Sequence, residues 1–317
     1  MEKRKVHLLS FIIPIYNEED GIEYLRSELS SWLNKLREDI ATEIILINDG
    51  SSDASLSMLK DWASHENRVK ILSFSRNFGH QNAVSAGLQY AAGDAAVIID
   101  ADLQDPLSAV DQMIARYEEG YDVAYGQRLS REGETKFKLG TAWFFYRVMN
   151  FCMSVDLPVD TGDFRLVSRQ AMDAINAMPE KARFLRGMFA WTGFKQIAIP
   201  YERHCRKYGE TKYPLRKMLS LAWKGITSFS SVPLRCISLL GIFSAAIGFL
   251  AIIYALGALV LGQTVPGWAS LMCLTALIGG LILFSLGIIG EYVGKIYEEI
   301  KGRPVYIVAE EINFEHK

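Results

Sequence analysis

The first half of the chain alternates two hydrophobic patterns. Short runs that are apolar at nearly every position, LSFIIPI (9 to 15), EIILI (43 to 47), VKILSF (69 to 74), AAVIID (95 to 100) and VAYGQ (123 to 127), are separated by longer stretches with apolar residues at helical spacing. Runs of this kind are what strands covered on both faces require, whereas the longer stretches bury one stripe of a helix. Strand and helix in alternation predict βαβ units, a mostly parallel sheet and a doubly wound α/β domain. Ser52 and Asp105 are candidate N-caps, and Pro106 suits a first helical position.

The pattern changes near the C-terminus. From Cys236 to Gly290 there is no Lys, Arg, Asp, Glu or His, and the segment divides into apolar runs at 234–261 and 269–290 around GQTVPGW. Each run is longer than the roughly 20 residues that cross a bilayer core of about 30 Å. A buried hairpin in a soluble domain is the alternative; full-span lengths and abrupt charge boundaries at Arg235 and Glu291 favour two transmembrane helices. Lys224, Arg235, Lys295, Lys301 and Arg303 flank the outer ends while the short connection has no positive charge, which predicts a cytoplasmic N-terminal domain and tail. The resulting division is a globular domain over 1–212, a juxtamembrane amphipathic helix over 213–232, the hairpin over 233–292 and a tail over 293–317.

Composition adds three constraints. The 317 residues are 50% hydrophobic, with mean hydropathy +0.11 and formal net charge -2, so nucleic acid is not an expected partner. Cys152, Cys205, Cys236 and Cys273 have no CxxC or metal-ligand spacing, which fits reduced thiols and no zinc site. The opening MEKRKVHLLSFIIPIYNEED imitates a signal peptide, but its apolar run lacks a small-residue cleavage site and meets acidic residues at once, so it reads as a first strand.

In doubly wound sheets ligands bind beyond the carboxyl ends of the strands. The unusual polar clusters all fall there: PIYNEE (14 to 19), NDGSSD (48 to 53), RNFGHQNAVSAG (76 to 87) and DADLQDP (100 to 106). In NDGSSD, Gly50 and the serines permit a tight turn that leaves Asp49 as an exposed acceptor. No GxGxxG or GxxxxGK[ST] cradle is present. A diphosphate is then held through a divalent cation, and Asp100, Asp102 and the amide oxygen of Gln104 offer the hard oxygen ligands that Mg²⁺ or Mn²⁺ prefers. A lone DxD also serves as a capping turn; four polar loops on one rim point to a metal-bound nucleoside diphosphate. His80 and the other histidines lack metal-ligand spacing and read as loop or capping residues.

PIYNEE, NDGSSD, RNFGHQNAVSAGL, DADLQDP and TGDFRL (161 to 166), in that order and spacing, resemble the inverting nucleotide-sugar glycosyltransferases of family 2, which have the GT-A fold. With the paired spans, the chain resembles the polyisoprenyl-phosphate branch, which includes dolichol-phosphate mannose synthases and bactoprenol glucosyltransferases, and RNFGHQ followed by DADLQDP is most similar to the latter. The resemblance implies a base and ribose pocket of Pro14, Tyr16, Glu18 and Asp49, with Asp49 accepting from a ring N–H of uracil or guanine. It implies Asp100 near the ribose and the metal, Asp102 and Gln104 as ligands of Mg²⁺ or Mn²⁺, and Arg128 in YGQR as a phosphate contact. Asp163 falls where the family places a carboxylate near the acceptor; Asp160 competes for that role, and a turn-capping Asp is the structural alternative. Asp102, Asp163 and Arg128 make up the expected catalytic set.

Positive charge is concentrated in RHCRKYGETKYPLRK (203 to 217), six Lys or Arg against Glu210. As a juxtamembrane patch it attracts anionic headgroups at about 1 kcal/mol per charge. KYGETKY also resembles the family's mobile loop, which implies Arg206, Lys207 and Lys212 at the diphosphate and acceptor. KFKLGTAWFFYRVMNFCM (136 to 153) and PLRKMLSLAWKGITSFSSVPLR (214 to 235) have the composition of helices in a headgroup plane and also of domain-packing helices; Lys138 and Arg147 lie in the first. Gly241, Ser244, Ala245, Gly248, Ala276 and Gly280 permit close helix packing within the hairpin or between copies. No QxxRW motif is present, which fits one sugar per turnover. The expected activity is transfer of one hexose, with UDP-glucose the favoured donor, to polyprenyl phosphate at the cytoplasmic membrane face. UDP-N-acetylhexosamine, a modified arabinose and GDP-mannose are alternative donors, and a non-catalytic nucleotide-sugar sensor is the alternative of another class. Two spans without an intramembrane charge offer no path for a transporter.

Overall fold

The computed structural model describes residues 4–129, 161–202, 232–261 and 267–314. Five strands form where the apolar runs predict them: β1 (Leu8–Ile15), β2 (Ala41–Asn48), β3 (Val69–Phe74), β4 (Ala95–Ile98) and β5 (Val123–Arg128). Between them lie α1 (Ile22–Leu33), α2 (Ser55–His65), α3 (His80–Tyr90) and α4 (Ser108–Glu118). In α1 the buried stripe is Ile22, Leu25, Leu29 and Leu33, spaced to meet one face of the sheet, whereas α3 is buried all round over Ala83–Leu88. Then follow β6 (Thr161–Ser168), α5 (Arg169–Ala177), α6 (Leu185–Trp191) and β7 (Gln196–Tyr201). Two long helices, α7 (Val232–Val260) and α8 (Trp268–Ile300), precede a last strand, β8 (Val308–Ile312).

The eight strands run in the order β7-β5-β6-β4-β1-β2-β3-β8. β1 pairs in parallel with β2 and β4, β2 with β3, and β5 with β7, whereas β6 is antiparallel to both β4 and β5. The chain therefore winds outward from β1 to β3 and then crosses back to place β4 on the other side of β1. That reversal opens a crevice beyond the carboxyl ends of β1 and β4, where open α/β sheets bind ligands.

Three expectations are corrected here. Ser52 and Asp105 do not cap helices: α2 starts from Ala54 and α4 from Leu107, while the Ser52 N–H donates to Asn17 Oδ1 at 2.9 Å and Asp105 accepts from the Tyr201 hydroxyl. Pro106 precedes α4 and its carbonyl accepts from Ala109 N. The segment expected as a tail is part of the sheet: β8 pairs antiparallel with β3, Tyr306 stacks on Phe74 at 5.0 Å, and Asn313 Nδ2 donates to the carbonyls of Ala63 and Val69.

By contact the chain divides into two compact units, one holding the sheet together with the residues from Arg303 onward, the other holding α7 and α8. Within these helices, Val232–Ala258 and Leu277–Ile300 have mean hydropathies of 2.5 and 1.8, long and apolar enough to cross a membrane. α8 continues past Glu291, where the uncharged stretch ends, to Ile300.

At the amino ends of the strands, away from the crevice, a buried carboxylate with a half-buried lysine partner ties four segments together. Glu43, 4% exposed, accepts from Ser10 Oγ at 2.5 Å, Lys70 Nζ at 2.6 Å and Ala92 N at 2.6 Å. Burial works against this carboxylate, but Lys70, Ser10 and the Ala92 N–H outweigh it and hold its pKa below the usual value. Because the folded pKa is depressed, the group's stabilisation is complete above about pH 4.5 and is lost as pH falls through the folded value. Glu43→Gln is expected to lower unfolding free energy at neutral pH by about 3 kcal/mol, because Lys70 and the Ala92 N–H keep only part of their partner. Urea unfolding in detergent at pH 7 and pH 4 measures this, and the variant should narrow the stability gap between the two.

Candidate active site

The rim of the crevice is a series of loops braced by one another. After β1, the Asn17, Glu18 and Glu19 N–H groups donate to Ser51 Oγ (3.1 Å), Ser55 Oγ (2.9 Å) and Asp53 Oδ2 (3.2 Å). In return Asn17 Oδ1 and Glu19 Oε2 accept from the backbones of Ser52 and Ala54, each at 2.9 Å. Asn17 holds a left-handed φ of 52°, which turns its side chain back onto the second loop. Of the residues expected in the base pocket, Pro14 is buried within β1 beside Ile47, Tyr16 is 49% exposed on the rim and Glu18 is half-buried.

Asp49 departs from expectation. It is 3% exposed rather than an open acceptor, and its carboxylate takes Phe78 N at 2.7 Å, Gly79 N at 2.9 Å and Asn77 Nδ2 at 3.0 Å. Burial raises its pKa against the pull of the Phe78 and Gly79 N–H groups. Asp49 thus organises the RNFGH turn. Gly50 makes the approach possible: its φ is 66°, and a Cβ there would lie 2.3 Å from the carbonyl carbon of Arg76.

Beyond β4 the chain turns sharply. Leu103, buried, adopts a left-handed φ of 46°, and Asp102 Oδ1 accepts from Gln104 N at 3.2 Å. Non-glycine residues hold this conformation only where surroundings impose it. The turn sets Asp100 and Asp102, separated by Ala101, at the carboxyl end of β4. Although 39% of the Asp100 side chain is exposed, desolvation in its recess pushes the carboxyl up to about 6; Asp163, Asp105 and Asp102 add to the rise and His80 opposes it. Such crowding of carboxylates favours a cation. Among the described residues no three His, Cys, Asp or Glu side chains form a closed metal cage.

Asp163, 12% exposed, lies at the centre of a second cluster. Its Oδ1 accepts from Arg186 Nε at 2.8 Å and its Oδ2 from Gln81 Nε2 at 2.9 Å, with His80 Nε2 3.3 Å from Oδ2. Burial opposes ionisation of Asp163, but Arg186 and His80 outweigh it and hold the carboxyl well below the usual range. Burial likewise depresses His80, yet Asp163 and Asp100 raise its pKa on balance; its Nε2 is 3.6 Å from Asp100 Oδ1. Arg165, buried two residues on, donates to the Gly162 and Asp163 carbonyls and stacks over Phe189 at 4.8 Å. Arg128, at the end of β5, donates to the Tyr201 hydroxyl at 3.4 Å, and that hydroxyl donates to Asp105.

The family-2 glycosyl transferase model matches residues 10–175, just over half of the chain, and takes in the crevice from β1 to Asp163. The chain belongs to glycosyl transferase family 2. Among its relatives, the uncharacterized glycosyltransferase YkcC of Bacillus subtilis is 46% identical over 309 residues, covering 97% of this chain and 95% of the relative. A bactoprenol glucosyl transferase of Shigella phage SfII is 37% identical over 301 residues, covering 95% of this chain and 97% of that protein. The mostly parallel, doubly wound sheet agrees with the GT-A architecture expected of a family-2 enzyme.

Family-2 motifs led to Asp100, Asp102, Gln104, Arg128 and Asp163, and the fold brings Asp100 and Asp163 together through His80. His80 and Gln81 lie within the RNFGHQ motif without being among the expected site residues, and Tyr201 and Arg186 lie outside the motifs altogether. His80, expected as a loop or capping residue, opens α3, and its Nε2 lies 3.3 Å from Asp163 Oδ2 and 3.6 Å from Asp100 Oδ1, carboxylates 83 and 20 positions away in sequence. Arg206, Lys207, Lys212, Asp160, Lys138 and Arg147 lie outside the described residues.

Proposed function

We propose that this family-2 enzyme transfers a single hexose, with inversion, from a nucleotide sugar to polyprenyl phosphate at the cytoplasmic face of a membrane, and that UDP-glucose is the donor. The observation that carries the reading is the acidic turn at the β1/β4 switch point in a chain whose sheet is completed, after a full-length apolar hairpin, by β8. Because β8 belongs to the same sheet as β1, a hairpin that crosses a bilayer must cross it an even number of times. The near full-length likeness to a bactoprenol glucosyl transferase supports the acceptor class.

Asp100, Asp102 and Gln104 would hold Mg²⁺ or Mn²⁺, and the ion would supply charge to offset that of the departing nucleoside diphosphate. Pro14, Tyr16 and Glu18 border the nucleotide, while Asp49 shapes its pocket from beneath. A monoalkyl phosphate has a second pKa of about 6, so the acceptor oxygen is already anionic at neutral pH and needs no strong base. Asp163, with donors on both oxygens, orients neighbouring groups instead of removing a proton. The remaining task is to place the acceptor oxygen in line with the anomeric carbon, opposite the leaving diphosphate. Arg128 is assigned to phosphate, and Arg206, Lys207 and Lys212 of the basic stretch to the anionic groups.

The test uses the full chain in lipid nanodiscs with polyprenyl phosphate, Mg²⁺ or Mn²⁺, and a panel of UDP- and GDP-sugars. A lipid-linked sugar from one donor is expected, abolished by EDTA. Its rate should rise through about pH 6 as the acceptor phosphate loses its second proton. Tight nucleotide binding without lipid product from any donor would sink the assignment and favour a sensor.

A further inference from the structure

We propose that Arg186 is an anion-binding residue for the phosphate of the acceptor, and that Asp163 serves the transfer as the counter-ion fixing it there. The inference rests on the polyprenyl-phosphate reading above and assigns part of its acceptor subsite to a residue that lies beyond the matched family motifs.

Placement of Arg186 is built, not incidental. Gln81 donates through Nε2 to Asp163 Oδ2 at 2.9 Å and accepts through Oε1 from Leu185 N at 3.1 Å, so a single amide side chain locks the residue before Arg186 to the carboxylate that Arg186 contacts. Arg186 Nε then meets the other oxygen, Oδ1, at 2.8 Å. Arg165 fixes the Gly162 and Asp163 carbonyls from the core side. The Arg186 side chain held this way is 33% exposed, whereas that of Asp163 is 12% exposed. The charge offered to an incoming group is therefore that of the arginine, with its carboxylate partner set behind.

Position and charge both suit an acceptor phosphate. His80 bridges the two clusters, with Nε2 3.3 Å from Asp163 Oδ2 and 3.6 Å from Asp100 Oδ1, so Arg186 stands one carboxylate and one imidazole away from the residues assigned to the diphosphate. A hexose between leaving diphosphate and attacking phosphate needs a separation of this kind. An unpaired Asp163 would repel a dianionic acceptor; paired with Arg186 and His80 it does not. Arginine in a fixed orientation suits phosphate oxygens better than a flexible lysine does.

Two measurements test this in the full chain in nanodiscs. In the first, binding of farnesyl phosphate is compared with that of farnesol, without any donor sugar. The parent should prefer the phosphate by roughly tenfold, Arg186→Gln should lose that preference while its UDP affinity stays within about twofold, and Arg186→Lys should recover part of it. In the second, the acceptor KM should rise by about tenfold in Arg186→Gln while the donor KM is unchanged. An intact phosphate preference in Arg186→Gln, an equal loss of UDP affinity, or no recovery in Arg186→Lys overturns the assignment. An Arg186-dependent phosphate preference in a parent that forms no lipid-linked sugar upholds this site and overturns the transfer reaction instead.

Discussion

Asp102→Asn is expected to reduce turnover by at least about a thousandfold, since loss of a metal-bound carboxylate forfeits several kcal/mol of stabilisation of the departing diphosphate. Asn keeps the size of Asp and an Oδ1 that can accept from Gln104 N, so the turn that holds Leu103 in its left-handed conformation retains its hydrogen bond. The variant should unfold at the parent's temperature. Calorimetric titration with UDP should show weaker binding than the parent in Mn²⁺ and equal binding in EDTA. Turnover equal to the parent's, or weakened binding in EDTA as well, would remove Asp102 from the metal site.

The sequence made the central fold legible because β1 to β4 are largely covered on both faces and so read as nearly unbroken apolar runs. Strands that break this rule were not visible. In β6 the polar Asp163 and Arg165 interrupt the run, since one builds the site and the other braces it from the core. In β8, VAEEI carries Glu310 and Glu311 because it is an edge strand with an exposed face, where Glu310 pairs with Lys60 at 2.7 Å. The Tyr306 ring and Asn313 that anchor this strand have no local pattern at all; their partners, Phe74, Ala63 and Val69, lie more than two hundred positions earlier in the chain.

The site divides in the same way. Asp100 and Asp102 were legible because a spacing of two at a strand end has its own chemistry. Local reading does not reach the surroundings of Asp49 and His80, whose contacts come from other loops. A carboxylate in a turn looks like a surface acceptor until the following βα loop is folded over it. An isolated histidine looks like a helix-start residue until β6 brings Asp163 alongside β4. Arg186 shows the limit most plainly, because its link to Asp163 depends on α6 being fastened by Gln81, a residue from the opposite side of the sheet order.

Asp49→Asn separates the two roles assigned to that residue. If Asp49 contacted the base, the variant would lower nucleotide affinity and leave stability alone. The observed contacts predict otherwise. Both carboxylate oxygens accept, from the N–H groups of Phe78 and Gly79 and from the Asn77 amide, so an Asn side chain must turn its own NH₂ toward a donor. A buried donor left without an acceptor costs about 1–3 kcal/mol, and here one donor faces another, so the variant should lose roughly 2–3 kcal/mol of stability. Turnover should fall with it, because the loosened turn leads directly into His80 at the start of α3. Gly50→Ala provides the independent check. It leaves the carboxylate intact but combines a φ of 66° with a Cβ 2.3 Å from the Arg76 carbonyl carbon, so it displaces the same turn from the other side. Thermal unfolding and UDP affinity measured for both variants should show a lowered unfolding temperature in each. An Asp49→Asn protein as stable as the parent, with weakened UDP binding, would return Asp49 to the base pocket.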